Sequence, residues 1–299
     1  MTVHVVGNIT EDLVFSLPRL PRAGETVIAS ERLADMGGKG LNQAILLARA
    51  GCDVNLVAAV GSDDIGERAQ SLVSRELPGS SLLPVEAPSD QSIIVVAADG
   101  ENHIVSSAGA ADALDASSAI DTMGDISAKD TVVVQGNFTK ETTRAVLAAG
   151  RVAGAWTIAN PSPIRWDWND IFPLCDLLVV NQLELAELAG TNDATPADLI
   201  AAGARAVLQT LGADGARHMD AHGETTAPAA SVEVVDSAGA GDTYLAIFVA
   251  GRLAGLDLPS ALTAAGRAAG VAISRRGTLL AFPTRAEIAT CLRAEAIVG

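Results

Sequence analysis

The sequence predicts an α/β protein in which a mostly parallel central sheet is flanked by helices and carries a small additional β-sheet. Beyond residue 130, short apolar runs alternate regularly with segments of helical pattern, which is typical of a parallel sheet with right-handed crossovers. Two earlier stretches have strand patterns with no helix between their strands. The chain has 299 residues, of which 49% are hydrophobic, enough for one large core. We therefore expect a single domain over residues 1–299.

The first third of the chain predicts a β-α-β-α order. An apolar run that ends at a glycine, Val3 to Gly7, is the expected first strand. A glycine-rich turn at residues 37–40 then opens a helix that ends at Gly51. This helix is predicted over residues 41–50. A strand over 55–60 and an amphipathic helix from Asp64 to about Leu77 follow it.

Two segments predict strands outside the main sheet. In residues 10–36, prolines at positions 18 and 21 disfavour a helix, and residues 25–30 have the pattern of a short strand. In residues 90–108, two apolar runs at 92–98 and 102–106 flank Asp99-Gly100, a hairpin signal. We expect the two segments to pair with each other.

The rest of the chain predicts repeated βα units. The strands are expected at 131–134, 156–160, 177–180 and 206–211, the helices at 140–153, 182–190 and after Pro196, and a hairpin follows Gly215. In open parallel sheets, ligands bind beyond the carboxyl ends of the strands. Polar residues are predicted at such ends, namely Asp12, Asn137, Asn181 with Glu184, Thr210 and Asp242.

The stretch from Asp236 to Thr243, DSAGAGDT, carries the strongest functional signal. An apolar run at 232–235 predicts a strand before it, and residues 244–250 predict a helix after it. Free N–H groups of Gly239, Ala240 and Gly241 at a helix start would form an anion hole, with Asp242 beside it. An anion hole next to a carboxylate suits phosphoryl transfer. A buried helix that merely begins with two glycines and a capping aspartate is the alternative for this stretch alone.

Composition and missing motifs exclude several function classes. Neither G-x-x-x-x-G-K-[ST] nor G-x-G-x-x-G occurs, so a P-loop and a Rossmann dinucleotide site are not expected. The net charge of −16, from 20 basic and 36 acidic residues, argues against nucleic acid or an anionic membrane as partner. Three scattered cysteines and the lack of a long apolar run predict reduced thiols in a soluble, cytoplasmic protein.

Four motifs together resemble a known family along nearly the whole chain. They are GNITED at 7–12, GGKGLNQA at 37–44, NQLE at 181–184 and DSAGAGD at 236–242. On these motifs the chain resembles the ribokinase-like sugar kinases, the PfkB family. The resemblance implies a ribokinase-like three-layer sandwich in which residues 10–36 and 90–108 form a β-sheet lid over the sugar. In many members this lid is also the clasp of a homodimer, so a homodimer is expected.

The resemblance also implies roles for individual residues. Asp242 matches the catalytic base, and Gly239, Ala240 and Gly241 match the anion hole for the γ-phosphate. The positions that match the sugar site are Thr10, Asp12, Gly38, Lys39, Asn42, Asn137 and Asp242. The positions that match the nucleotide site are Asn181, Glu184, Thr210, Gly212, Gly215 and Gly241.

Two metal sites and a co-substrate are implied in the same way. ATP is expected as the co-substrate, with Mg²⁺ organised through water by Glu184. A loop pair beside the anion hole matches a site for a monovalent cation, normally K⁺. Its members are Asp236, Ala238, Ala272, Arg275 and Gly277.

Three departures from the family pattern concern the substrate and the cation. Asn137 stands where ribokinases usually carry a carboxylate, Thr10 where they carry an asparagine, and Ala281 where a serine is common. The function expected first is an ATP-dependent kinase that phosphorylates a primary hydroxyl of a pentose or related sugar. A nucleoside kinase of the pseudouridine or adenosine type and a non-catalytic sugar or nucleotide sensor are the alternatives.

Overall fold

A computed structural model of the protein describes residues 1–98 and 102–293. The strands in these residues are β1 (Thr2–Val6), β2 (Thr10–Leu17), β3 (Glu31–Gly37), β4 (Asp53–Gly61), β5 (Ser81–Val85), β6 (Asp90–Ala97), β7 (Asn102–Ser106), β8 (Thr131–Gln135), β9 (Trp156–Asn160), β10 (Leu177–Asn181), β11 (Ala206–Thr210), β12 (Ala216–Asp220) and β13 (Gly223–Ala227). The helices are α1 (Lys39–Arg49), α2 (Asp64–Glu76), α3 (Gly109–Ala113), α4 (Ala116–Met123), α5 (Lys140–Ala153), α6 (Gln182–Ala189), α7 (Pro196–Ala201), α8 (Ala240–Leu253), α9 (Leu258–Ile273) and α10 (Arg285–Arg293).

The larger sheet is mostly parallel, as the alternation of strands and helices predicts. Its order in the described residues is β13-β12-β11-β10-β9-β8-β1-β4-β5. All neighbouring strands from β11 to β5 run parallel, and only β12 and β13 are added antiparallel at one edge. The carboxyl ends of the parallel strands therefore lie along one rim of the sheet.

The core consists of two apolar layers, one on each face of this sheet. Alternate residues of one strand point to opposite faces, so Val133 belongs to one layer and its neighbours Val132 and Val134 to the other. Helices α1, α2, α8, α9 and α10 cover the first face, and α3, α4, α5, α6 and α7 cover the second. Because both faces are covered, the central strands are almost continuously apolar. The result is the predicted three-layer α/β sandwich.

The smaller sheet joins the two segments that predict strands without helices. Its order is β3-β2-β6-β7, with β2 and β6 parallel and the outer strands antiparallel to them. The predicted pairing of the two segments is confirmed. The Asp99-Gly100 turn predicted between β6 and β7 lies outside the described residues.

Two predicted strands are wrong. Residues 25–30 form no strand: the ladder between β2 and β3 begins only where Ser30 N donates to Ser16 O, and Ile28 is 81% exposed. Residues 232–235 form no strand either, because the Val235 N–H donates to the carbonyl of Ile273 at the end of α9. An apolar run without a neighbouring strand to pair with remains an irregular extended segment. Five elements, β5, α3, α4, α9 and α10, lie where no element is predicted.

Within the described residues, the helices include none that is both long and apolar enough to cross a membrane.

Candidate active site

A cavity of about 530 Å³ opens at the carboxyl rim of the larger sheet. It lies between the ends of β10 and β11 and the N-terminus of α8, which is where the topology predicts a ligand site. The predicted site residues that line it are Lys39, Asn181, Glu184, Thr210, Gly212, Gly239, Ala240, Gly241 and Asp242. The structure thus gathers residues from three of the four motifs, and from the end of β11, around one space.

The N-terminus of α8 faces this cavity. Gly239 caps the helix in the left-handed region, with φ 72°, and the Phe282 ring packs so closely that a side chain at position 239 would overlap it. The N–H and hydroxyl of Thr243 both donate to the Gly239 carbonyl, each over 2.9 Å, and so fix the first turn. The Ala240 N–H makes a long bond of 3.3 Å to the Ser237 carbonyl, and N–H groups in a first turn have no intrahelical acceptor, so this end of α8 is suited to an anion.

Asp242, in the first turn of α8, is buried and held by two amides of α1. Asn42 Nδ2 donates to one carboxylate oxygen over 3.0 Å and Gln43 Nε2 to the other over 2.9 Å. Asp242 is 5% exposed, and it lines the cavity despite this burial. The packing of α1 against α8 therefore joins motifs that are about 200 residues apart in the sequence.

Two further amides continue from Gln43 into the sheet. Gln135 Nε2 donates to Gln43 Oε1 over 2.8 Å, and Gln43 Nε2 also lies 3.4 Å from Asn160 Oδ1. Asn160 Nδ2 in turn donates to the carbonyl of Val179 over 2.9 Å. Sequence reasoning missed Gln43, Gln135 and Asn160 as site residues. Gln135 and Asn160 are the last residues of β8 and β9, so the rule that ligand sites lie at strand ends could have found them.

The start of α1 is packed directly onto the end of β1. The Leu41 N–H donates to the Asn8 carbonyl over 3.1 Å. A Cβ on Gly40 would lie 2.6 Å from Asn8 N and closer still to the backbone of Gly7. Gly38, the residue before α1, has φ 98° and would meet the Asn8 carbonyl at 2.9 Å if it had a side chain. This glycine turn is therefore a close contact between two backbones.

Asp12 and Thr10 lie on the smaller sheet, beside the glycine turn. The Thr10 hydroxyl donates to Asp12 Oδ1 over 2.7 Å, and the Asp12 carboxylate lies against Gly37. Burial raises the pKa of Asp12, and the charges of Asp35, its register partner on β3, and of Asp242 raise it further. Asp12 is within β2 rather than at a strand end as predicted, yet it is near enough to Asp242 for their charges to interact.

Asn137 follows β8 and is anchored through its backbone. Its carbonyl accepts from Arg165, which also makes two hydrogen bonds of 2.7 Å to the Asp112 carboxylate. The side-chain Oδ1 is buried and has no hydrogen-bond partner in the described residues. A buried acceptor without a donor is costly, so this oxygen is suited to a ligand hydroxyl.

Asn181 and Glu184 form a reciprocal capping box at the start of α6. Asn181 Oδ1 accepts from Glu184 N over 2.8 Å, and Glu184 Oε2 accepts from Asn181 N over 2.9 Å. Both side chains still line the cavity.

Gly215, predicted beside the nucleotide, does not line the cavity. Its Cβ would lie 2.7 Å from the backbone of Pro228 and Ala229, so a packing contact explains this glycine.

Asp236 connects the loop before α8 to the loop after α9. Its Oδ1 accepts from Ala238 N over 2.9 Å and its Oδ2 from Gly277 N over 3.0 Å. Arg275 N donates to the Ala272 carbonyl, and the Arg275 side chain pairs with Glu287. Of the five residues predicted around a monovalent cation, the carboxylate of Asp236 thus joins Ala238 to Gly277, and a backbone bond joins Ala272 to Arg275.

Comparison with known proteins agrees with this geometry. The family model of pfkB family carbohydrate kinases matches residues 2–285. The ribokinase of Bacillus subtilis strain 168 is 31% identical over 287 residues, which cover 96% of this chain and 97% of that protein. The structure of ribokinase from Giardia lamblia superposes with a TM-score of 0.87 at 27% identity and covers 97% of this chain and 98% of its own. The structure of ribokinase from Cryptococcus neoformans in complex with ADP superposes with a TM-score of 0.81 at 28% identity, and it covers 97% of this chain and 98% of its own. The chain belongs to the pfkB family of carbohydrate kinases.

Proposed function

We propose that this carbohydrate kinase transfers the γ-phosphate of ATP to the primary hydroxyl of ribose or a closely related pentose. The observation that carries the proposal is the placement of the Asp242 carboxylate at the edge of a cavity beside the N-terminus of α8. A relative that is 31% identical over almost the whole chain is a ribokinase, which supports a pentose as acceptor.

Phosphoryl transfer requires an acceptor for the hydroxyl proton and hydrogen-bond donors for the negative charge of the transferred phosphoryl group. The primary hydroxyl oxygen attacks the γ-phosphorus, the bond to the bridging oxygen of ADP breaks, and the hydroxyl proton passes to the Asp242 carboxylate. The N–H groups of Gly239, Ala240 and Gly241 would hold the phosphoryl oxygens, aided by the positive end of the α8 dipole. Lys39 adds a positive charge to the lining of the same cavity.

The sugar would lie between α1 and the smaller sheet. Asp12 and Asn42 provide acceptor oxygens and a donor there, and Thr10 holds the Asp12 carboxylate in place. The buried Oδ1 of Asn137 lacks a donor, which a sugar hydroxyl would supply. Gly38 and Lys39 complete the proposed sugar site at the start of α1.

The nucleotide would occupy the side of the cavity formed by Thr210 and Gly212. Glu184 lines this side, and only one of its carboxylate oxygens is engaged in the capping box. A single carboxylate oxygen fits a Mg²⁺ ion that arrives with the phosphates and keeps several waters, because Mg²⁺ is commonly held by one or two carboxylates together with substrate phosphates. Bound Mg²⁺ would neutralise charge on the β- and γ-phosphates.

The loop pair around Asp236 is the proposed monovalent cation site. A carboxylate and nearby backbone carbonyls, including that of Ala272, are oxygen donors of the type that K⁺ prefers. Ala281 is buried and offers no side-chain oxygen, so the site would depend on carboxylate and carbonyl ligands. An ion here would stabilise the turn that precedes Gly239.

The smaller sheet would act as a lid and as a dimer contact. It carries several exposed apolar residues, among them Leu33, Ile93, Ile104 and Val105, the last being 70% exposed. Exposed apolar residues on short strands favour coverage by a partner. Lid closure would exclude water from the γ-phosphate. Sedimentation equilibrium is expected to give a dimer, and a charged substitution at Val105 is expected to give monomers.

A coupled assay of ADP release tests the function directly. The purified protein is incubated with Mg-ATP and a panel of pentoses, hexoses and nucleosides, with and without K⁺. We expect release that depends on a pentose, is fastest with ribose or a close relative of it, and increases with K⁺. Activity with nucleosides alone would contradict the sugar assignment, and no acceptor-dependent release with any member of the panel would contradict kinase activity.

A further inference from the structure

We propose that Gln43 is a positioning residue for the Asp242 carboxylate, that Asn160 determines which way the Gln43 amide points, and that Gln135 holds the oxygen end of that amide. The inference rests on the proposed role of Asp242 as the base and extends it to three amides behind this carboxylate, of which Asn160 also lines the cavity. It follows from the polarity of the hydrogen bonds at the junction of α1, α8 and the central sheet.

The direction of these hydrogen bonds is set first by a backbone carbonyl, which can accept a hydrogen bond but cannot donate one. The Val179 backbone carbonyl takes a hydrogen bond from Asn160 Nδ2 over 2.9 Å, so the Asn160 Oδ1 must face the other way. That oxygen lies 3.4 Å from Gln43 Nε2. An amide oxygen at this position would meet Oδ1 acceptor to acceptor, so Asn160 favours the nitrogen of Gln43 on this side.

Gln135 engages the other end of the Gln43 amide. Its Nε2 donates to Gln43 Oε1 over 2.8 Å, so the Gln43 oxygen is engaged away from Asp242. The Gln43 nitrogen is thereby directed at Asp242 Oδ1, 2.9 Å away. If the amide were flipped, an oxygen would face Asp242 Oδ1 at that distance and would also face Asn160 Oδ1.

Burial makes this arrangement effective. Gln43 and Gln135 are fully buried, so water cannot replace a partner that either of them loses, whereas Asn160 is 8% exposed and lines the cavity. The second carboxylate oxygen is held by Asn42, which belongs to the proposed sugar site and would have to adjust when sugar binds. Gln43 does not line the cavity, so its bond to Asp242 would persist through the reaction.

The charged groups around Asp242 come from other elements. Asp12 on β2 is close enough for the charge of Asp242 to raise its pKa, and Lys39 on α1 and Glu184 on α6 line the same cavity. Within the described residues, none of these three side chains makes a hydrogen bond to the Asp242 carboxylate, whereas Asn42 and Gln43 do. Gln43 is the fully buried donor that fixes the plane of the carboxylate.

Two substitutions at Gln43 separate its hydrogen bond to Asp242 from the space that its side chain fills. Gln43→Met keeps the side-chain length and removes the donor, and Gln43→Glu keeps the shape and the acceptor for Gln135 but places an oxygen against Asp242. We expect kcat to fall about 10- to 100-fold in both, with KM for sugar and ATP within about 2-fold of wild type. Gln209→Met is the matched control, because Gln209 is also a buried glutamine of the sheet, yet it pairs with Arg217.

A double-mutant cycle tests the role of Gln135. If Gln135 acts only through Gln43, Gln135→Met lowers kcat alone, but Gln43→Met with Gln135→Met has the same kcat as Gln43→Met. Losses that multiply, or a wild-type kcat in either Gln43 variant, would overturn the inference. A fall in thermal stability with kcat unchanged would leave Gln43 a merely structural residue and would also overturn it.

A crystal structure of Gln43→Met without ligands gives a readout that needs no substrate. The Asp242 carboxylate is expected to rotate away from its wild-type plane, and an unchanged carboxylate would contradict the inference. If the wild-type protein phosphorylates no sugar, the proposed function fails, and this structure still decides whether Gln43 positions Asp242.

Discussion

The N-termini of α1 and α8 share one local pattern and use it for different purposes. Each begins with a glycine of positive φ as the capping residue, Gly38 or Gly239, and has a second glycine two positions later, Gly40 or Gly241. At Gly40 a Cβ would collide with the backbone of Gly7 and Asn8, whereas at Gly241 nothing lies within 4 Å. Both capping glycines are close to other atoms, but the second glycine allows close backbone packing in α1 and leaves space open toward the cavity in α8. Two glycine-rich helix starts with the same local pattern therefore differ in whether a side chain at the second glycine would collide with backbone or enter open space.

The largest expected effect is on the α8 side, at the carboxylate. Asp242→Asn removes the proton acceptor, so kcat is expected to fall about 1,000-fold, within the range for loss of a general base. The fold should be retained, because the amide still offers one acceptor to Asn42 or Gln43. Steady-state kinetics with circular dichroism as the control checks this. Turnover within about 10-fold of wild type would remove Asp242 from its proposed role.

The second effect is on the α1 side and concerns stability. Gly40→Ala places a methyl group within 2.6 Å of Asn8 N, where only backbone can yield. We expect the free energy of unfolding to fall by about 1–3 kcal/mol or more, as for other overpacked cores. Urea denaturation measures the change. An unaltered midpoint would mean that the contact between α1 and β1 is looser than it is in this structure.

The third effect is the matched change on α8. Gly241→Ala replaces the second residue of that helix, as Gly40→Ala does in α1, but meets open space. Stability should be unchanged or rise by up to about 1 kcal/mol, because alanine favours helix. The methyl group would project toward the proposed phosphate, so we expect kcat/KM for ATP to fall about 10-fold. Equal destabilisation by both substitutions would refute the contrast between the two helix starts.

The smallest effect is a pH dependence beside the α1 turn. Burial, and then the charges of Asp35 and Asp242, raise the pKa of Asp12. The ionised form is the proposed acceptor for sugar hydroxyls, and a raised pKa means that it is lost at a higher pH than for an ordinary aspartate. Lowering the pH from about 7 to about 5 should therefore raise KM for sugar by about 3-fold, the equivalent of one weak hydrogen bond.

Asp12→Asn is the control for this pH dependence, since an amide does not titrate there. Its KM should be higher than that of wild type at neutral pH and should vary less on acidification. A wild-type KM that is constant over this range would indicate that sugar binding does not depend on the ionised Asp12. kcat measured in the same experiments separates this effect from changes at Asp242.

Much of the fold could be predicted from the sequence because local patterns determine it. The alternation of strands and helices beyond residue 130 predicts the parallel sheet, and the two strand-rich segments predict the smaller sheet. The motifs at 37–44, 181–184 and 236–242 predict many of the residues that line the cavity. Hydrophobic periodicity and glycine turns act within a few residues, so a single sequence contains that information.

Features that depend on contacts between segments far apart in the sequence were decided only by the tertiary structure. The run at 232–235 has a strand pattern, but its backbone bonds to the end of α9. Gly215 resembles a nucleotide residue, yet its position is explained by contact with residues 227–229. Gln43, Gln135 and Asn160 become site residues only because α1, β8 and β9 converge behind Asp242. Hydrogen-bond partners and close backbone contacts are properties of chain segments far apart in sequence, which local patterns do not encode.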